Sequence, residues 1–203
     1  MVMAALAFKE EDIQKLGWLG VKDSKQLSSE AREELFDRIR ELVHDFRVEV
    51  IEPDAIDLSM EETTSNLNWL EADTSARMVS ELDPDEAIID CPSVNIANYQ
   101  AYFAEKLDKK VRDKVKLIIE HKADVNHIVV SAASIIAKVI RDQQVDRLKE
   151  EIKIDFGSGY MSDPKTKNFL EQYYEKYPAL FRHNWRPYKD LAEKKKQKSL
   201  GEF

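Results

Sequence analysis

VKLIIEHKADVNHIVVSAASIIAKVIRD, residues 115–142, is the stretch whose reading decides the fold. Val115 to Glu120 is mostly apolar and ends on a charge. From Val129 onward, Val130, Ala133, Ile136, Ala137 and Ile140 recur at helical spacing. The stretch therefore reads as a buried strand, a short polar turn and a long helix. Asp124 falls in the turn, just outside the carboxyl end of the strand, where open α/β sheets gather ligands and catalytic groups. Ala87-Ile88-Ile89-Asp90 has the same form, a short apolar strand closing on a carboxylate. Two strand-end aspartates, with no cysteine or histidine cluster to compete, point to a hard divalent metal held by oxygen. His121 and His127 stand six apart across a turn, the wrong spacing for structural zinc, and all four histidines read as ordinary.

Outward from this centre the chain alternates strands and helices. Val2 to Phe8 reads as a strand, and Gly17 and Gly20 bracket Trp18 in a loop. Lys22-Asp23-Ser24-Lys25-Gln26-Leu27 follows, a loop whose lysines and serine suit phosphate oxygens, with Ser28 or Ser29 as N-cap of the next helix. That helix is expected over Glu30 to Phe46, with Leu35, Ile39, Leu42, Val43 and Phe46 on one face. Arg47 to Ile51 alternates as a strand, with Val48 and Val50 inward. A helix from about Asn66 to Leu82 carries Leu67, Leu70, Thr74 and Met78 on its apolar face, and Pro84 stops it. Ile96, Tyr99, Phe103 and Leu107 mark another helix. Ile152 to Ser162 is a loop with Gly157 and Gly159 just ahead of an exposed Tyr160. Asp163-Pro164 then opens a helix as N-cap and first residue.

The composition sets bounds. At 203 residues the chain makes one domain, expected over residues 1–190, with a basic flexible tail over 191–203. Its single cysteine excludes an internal disulfide and suits a reducing, cytoplasmic setting. No apolar run of transmembrane length is present, and Met1 to Phe8 lacks the basic flank of a signal peptide. The net charge of −8 is unevenly placed. Glu52 to Glu86 holds eleven acidic residues and one basic, whereas Arg186 to Lys198 holds six basic and two acidic. An acidic flank with a basic end is compatible with a nucleic-acid enzyme.

Taken together, the Lys22–Leu27 loop, Ala87-Ile88-Ile89-Asp90, His121-Lys122-Ala123-Asp124 with Val130 to Lys138, and Gly159-Tyr160-Met161-Ser162-Asp163-Pro164-Lys165-Thr166 resemble ribonuclease HII, the archaeal branch most closely. The resemblance runs from Met1 to about Tyr188. It implies a ribonuclease H-like α/β fold: a mixed sheet with flanking helices and a helical C-terminal part. It implies a monomeric endonuclease that cuts the RNA strand of RNA–DNA hybrids and the 5′ side of single ribonucleotides in DNA. The family holds two Mg²⁺ or Mn²⁺ ions with four carboxylates, of which Asp90 matches the third and Asp124 the fourth. Lys22, Ser24 and Lys25 match the residues that hold backbone phosphate, and Tyr160 the tyrosine that helps to read the 2′-hydroxyl.

The family's first strand, with its Asp-Glu pair and Gly-Arg-Gly loop, has no counterpart in these residues. Met1 falls where relatives enter their second strand, and in the family's sheet the missing strand is central. A start codon assigned too far downstream is the expected reason, and the 203 residues alone are expected to be inactive. The alternatives are a catalytically inactive nucleic-acid or clamp-binding protein and a junction resolvase of the same superfold. Tyr160 and the Lys22–Lys25 loop argue against the last. At the far end, Gln197, Leu200 and Phe203 follow the run Lys194 to Lys196 and resemble the sliding-clamp-binding box of replication proteins. A single 3₁₀ turn would bring these three residues to one side.

Overall fold

The computed structural model describes residues 1–61 and 66–200, with side chains through Lys194. In chain order the elements are β1 (Val2–Ala7), α1 (Glu10–Trp18), α2 (Ser29–Leu42), β2 (Asp45–Val50), α3 (Pro53–Glu61), α4 (Leu67–Leu82), β3 (Glu86–Asp90), α5 (Ile96–Lys106), α6 (Lys109–Arg112), β4 (Lys116–Glu120), α7 (Ala123–Asn126), α8 (Ile128–Ile152), α9 (Pro164–Tyr173) and α10 (Arg186–Leu200). Short 3₁₀ turns form at Ser24–Gln26 and Pro178–Leu180.

The strands form two separate pairs. β1 and β2 run antiparallel, with Ala4 opposite Val48 and Leu6 opposite Phe46. β3 and β4 run parallel, with Asp90 opposite Glu120. Among the described residues no strand joins the two pairs. The sheet is thus mixed in direction, as expected, but split in two.

The chain folds as two compact units. The first comprises Val2–Val50 and Asn68–Arg141 and contains both strand pairs. It has two cores. One sets α4 and α5 against β3 and β4, where Tyr99 and Phe103 are almost fully buried and Trp69 stacks beside Tyr99 and Tyr102. In the other, Leu16 of α1 and Leu35 and Ile39 of α2 meet Ala132, Ile135, Ile136 and Val139 of α8. The buried stripe of α8 thus lies to one side of the face that the spacing predicts. Of Val130, Ala133, Ile136, Ala137 and Ile140, only Ile136 is fully buried. The helix is apolar nearly all round at this end, so periodicity does not fix which side faces the core.

α2 ends at Leu42, four residues before its expected end. Phe46 belongs to β2 and is 38% exposed. Antiparallel pairing takes over there, His44 N–H donating to Ala7 O at 2.8 Å. Val48 packs into the core, but Val50 stays 39% exposed. The segment around Trp18, expected as a loop, is the end of a helix.

The second unit comprises Met1, Ile51–Leu67 and the described residues from Asp142 on. Its anchor is Asp57 on α3, a nearly buried carboxylate that accepts from His183 N–H (2.5 Å) and Asn184 N–H (3.0 Å). Phe169 of α9 lies amid Phe156, Tyr173, Tyr177 and Phe181. The charged end is helical in backbone through Leu200. Gln197 and Leu200 lie in α10 without described side chains, and Phe203 is outside the described residues. Among the described residues no helix is long and apolar enough to cross a membrane.

Candidate active site

Asp90 closes β3, and Cys91 N–H extends the ladder by donating to Glu120 O at 2.8 Å. On the neighbouring strand the chain turns back at once. Lys122 adopts the left-handed region (φ +58°), and α7 begins at Ala123. This tight reversal points the Ala123 N–H at Asp90, whose Oδ1 accepts it at 3.0 Å. Asp124 is the next residue. The Asp90 carboxylate is therefore tied to the backbone of the turn that carries Asp124.

Asp124 is only 6% exposed. Ser131 Oγ–H donates to its carbonyl at 2.5 Å and fixes α7 against α8. Its Oδ2 pairs with Lys25 Nζ at 3.1 Å. Lys25 itself is largely exposed, and Asp124 pushes its ammonium above the ordinary lysine range, with Asp90 adding to the shift from further away. The lysine arrives from the 3₁₀ turn at Ser24–Gln26, capped by Asp23, whose side chain accepts from Lys25 N–H. Ser24 is buried, its hydroxyl 3.0 Å from that of Ser134 on α8. Lys22 is exposed at the start of the turn.

Sequence reading missed two residues that build this arrangement. Arg32 on α2 donates to the carbonyls of Ser24 (3.3 Å) and Leu27 (2.8 Å) and holds the turn in place. Lys122 supplies the left-handed turn. Neither leaves a periodic trace. The only signal for Arg32 is a long donor in the first turn of a helix that follows a loop. Beside them, Glu120 accepts from Asn126 (2.7 Å) and pairs with His127 Nε2 at 3.1 Å, and His121 Nδ1 lies 3.0 Å from Cys91 O. The histidines thus serve the turn rather than a zinc site.

Tyr160 belongs to the other unit, in a loop that α9 holds firmly. Ser158 N–H donates to Asp163 Oδ2 (2.7 Å) and Gly159 N–H to Thr166 Oγ1 (3.0 Å). The Thr166 hydroxyl donates in turn to Phe156 O (2.8 Å). Gly157 has φ +77°, and a Cβ there would collide with the Asp163 carboxylate and with Lys165. Tyr160 is 43% exposed on this frame. As expected, Asp163 caps α9 and Pro164 is its first residue.

Asp90 and Asp124 offer carboxylate oxygen and nothing soft, which fits a hard divalent ion whose other ligands are water and phosphate. Among the described residues, no group of three or more His, Cys, Asp or Glu side chains gathers as a metal site. The described residues therefore do not by themselves assemble a four-carboxylate pair of sites.

The ribonuclease HII family model matches residues 1–187. Ribonuclease HII of Pyrococcus furiosus is 38% identical over 210 residues, covering 100% of this chain and 91% of its own. Ribonuclease HII of Thermococcus sibiricus is 42% identical over 199 residues, covering 96% and 85%. Among solved structures, ribonuclease H2 from Pyrococcus horikoshii superposes with a TM-score of 0.82 at 35% identity, covering 95% of this chain and 90% of that one. The α/β framework is that of the ribonuclease H-like nucleases. The chain belongs to the ribonuclease HII family. It is an endoribonuclease, a hydrolase of a divalent-metal-dependent family that acts on RNA–DNA hybrids.

Proposed function

We propose that this protein cuts the RNA strand of RNA–DNA hybrids, and the 5′ side of ribonucleotides embedded in DNA, leaving 5′-phosphate and 3′-hydroxyl ends, with Asp90 and Asp124 as ligands of Mg²⁺ or Mn²⁺. The observation that supports this reading is the bond from Ala123 N–H to Asp90, which ties the carboxyl end of β3 to the turn that carries Asp124. Asp90 and Asp124 would hold divalent metal, which would supply activation of water and stabilisation of the leaving 3′ oxygen. The chain's own residues do the placing. Lys22, Ser24 and Lys25 hold backbone phosphate, Lys25 having its ammonium already at the carboxylate. Tyr160 packs on the sugar beyond the cleaved bond and helps to tell ribose from deoxyribose.

The test compares the chain with the family's first strand restored and the Asp90→Asn variant of that chain on a duplex containing one ribonucleotide, in Mn²⁺, beside a circular-dichroism melt. A loss of at least a hundredfold with an unchanged melt is expected. Near-normal cutting by the variant would remove Asp90 from the metal site. A second reading, favoured by the gathering of only two carboxylates among the described residues, is that these 203 residues bind the hybrid without cutting it. Binding by wild type without cleavage would decide for it.

The end of the chain is proposed to tether the enzyme to a sliding clamp through Gln197, Leu200 and Phe203. A ribonuclease HII from Archaeoglobus fulgidus, solved as a complex with PCNA, superposes on this chain with a TM-score of 0.79 at 34% identity, covering 94% of this chain and 88% of that one. Lys194 to Lys196 would steer the tail towards an acidic partner, and tethering raises the enzyme's effective concentration on DNA. A peptide spanning Lys194 to Phe203 is expected to bind the clamp from the same source, and its Leu200→Ala, Phe203→Ala version is not. Equal binding by both peptides, or none by either at hundreds of micromolar, would discard the tether.

A further inference from the structure

Trp18 is the most exposed aromatic ring among the described residues, at 79%. It is not carried on a free loop. It ends α1, and the turn behind it is fixed by Leu19, Gly20 and Val21 N–H groups donating to Lys15, Gly17 and Leu16 carbonyls at 3.1, 3.1 and 3.2 Å. Gly20 takes φ +79° to close that turn. Leu16 on one side and Val21 on the other are buried in the α1–α2–α8 core. The indole is therefore held outward by a frame that is buried on both sides of it.

The same frame carries the phosphate-binding residues. From Gly17 to Lys25 the chain follows the amino end of α8. At its start, a Cβ on Gly17 would lie 3.9 Å from Ile128 Cδ1. At its end Ser24 meets Ser134, and Lys25 reaches Asp124. Lys22 and Lys122 are exposed on these turns, as is Val125, at 56%, on the residue after Asp124. An exposed ring four residues before Lys22 and seven before Lys25 in the chain, on the frame of a hybrid-cutting site, fits a polyanion, whose apolar surfaces are its sugars and base faces.

We propose that Trp18 is a nucleic-acid contact, its ring packing on a sugar or base of the hybrid beside the phosphates held by Lys22 and Lys25. The proposal rests on the hybrid reading of the site. Aromatic contacts of this kind tolerate any sequence, because every base and sugar presents an apolar face. They add affinity without counterion release, unlike a lysine contact.

The experiment measures anisotropy of a labelled RNA–DNA hybrid with full-length wild type, Trp18→Ala, Trp18→Phe and Lys22→Ala, in Ca²⁺, across a series of salt concentrations. Trp18→Ala is expected to weaken binding about tenfold with the slope against salt unchanged. Trp18→Phe should recover most of the loss, and Lys22→Ala should flatten the slope. Affinity of Trp18→Ala equal to wild type would overturn the proposal. So would a loss accompanied by a flatter slope, which would mean that the lysines had moved. If wild type itself does not bind the hybrid, the reading of the site falls and this contact with it.

Discussion

Lys122 pays for the geometry of the site with its backbone. A residue with a Cβ costs about 1–2 kcal/mol in the left-handed region, and the cost rises for a β-branched side chain. Lys122→Val is expected to lower stability by about 1–2 kcal/mol and to loosen the Ala123–Asp90 bond. Lys122→Gly should be close to neutral, because relief of strain offsets the greater freedom of the unfolded chain. Urea melts of both variants check this, and equal losses would show that φ is not the cause. Tyr160→Ala should reduce cutting at a single embedded ribonucleotide more than cutting of a long hybrid, because a sugar contact beyond the cleaved bond matters most at a junction. Equal loss on both substrates would mean that the ring only packs its loop. At this scale Asp90 and Asp124 were legible as strand-end carboxylates, and Lys25 as part of a motif. Lys122, Arg32 and Asp57 were not, because a left-handed φ and hydrogen bonds across long sequence separations leave no local pattern.

Among the elements, helix starts read more clearly than helix ends. Ser28 and Asp163 cap α2 and α9 as their residue types suggest, Ser28 Oγ accepting from Ala31 N–H at 3.2 Å. Ser28→Ala should cost about 1 kcal/mol, measured as a shift in the denaturant midpoint at constant slope. The Tyr160 loop should respond to acid. Lys165 beside Asp155 holds that carboxylate below its usual range, and the Ser158 N–H does the same for Asp163. Groups with lowered folded values add stability above their unfolded value, about 3.9, and lose it as pH falls through the lower folded value. The loop around Tyr160 is therefore expected to exchange its amide hydrogens faster, relative to α8, below about pH 4. Uniform acceleration across both elements would contradict that. The helices missed in the sequence, α1, α3, α6, α7 and α10, share a cause. α1 and α3 are nine residues each, α6 and α7 four each, and α10 carries mostly charge, so each is too short or too polar for spacing alone to mark it as a helix.

For the whole molecule, the decisive packing is long-range. Ile136, 2% exposed, joins α8 to α1 and α2. Ile136→Ala should cost about 2–5 kcal/mol, whereas Val94→Ala, at a site 99% exposed, should change stability little. Calorimetry of the two variants tests the contrast. The mixed α/β class was legible from alternating strands and helices, and the break between the two strand pairs followed from the resemblance, whose central strand has no counterpart in these residues. Pairing partners are chosen by tertiary contacts rather than by any period in the chain.

The meeting of α8 with α1 and α2 has a consequence for biosynthesis. β1, β2 and the two helices beside them leave the ribosome before α8, yet Ala132 to Val139, which cover their apolar side, are translated roughly ninety residues after Ile39. At ordinary elongation rates that is about 5–20 s. Throughout it the nascent amino-terminal segment presents a greasy surface with no partner of its own, so the yield of soluble protein should depend on chaperone capacity and on synthesis speed more than on the stability of the finished fold.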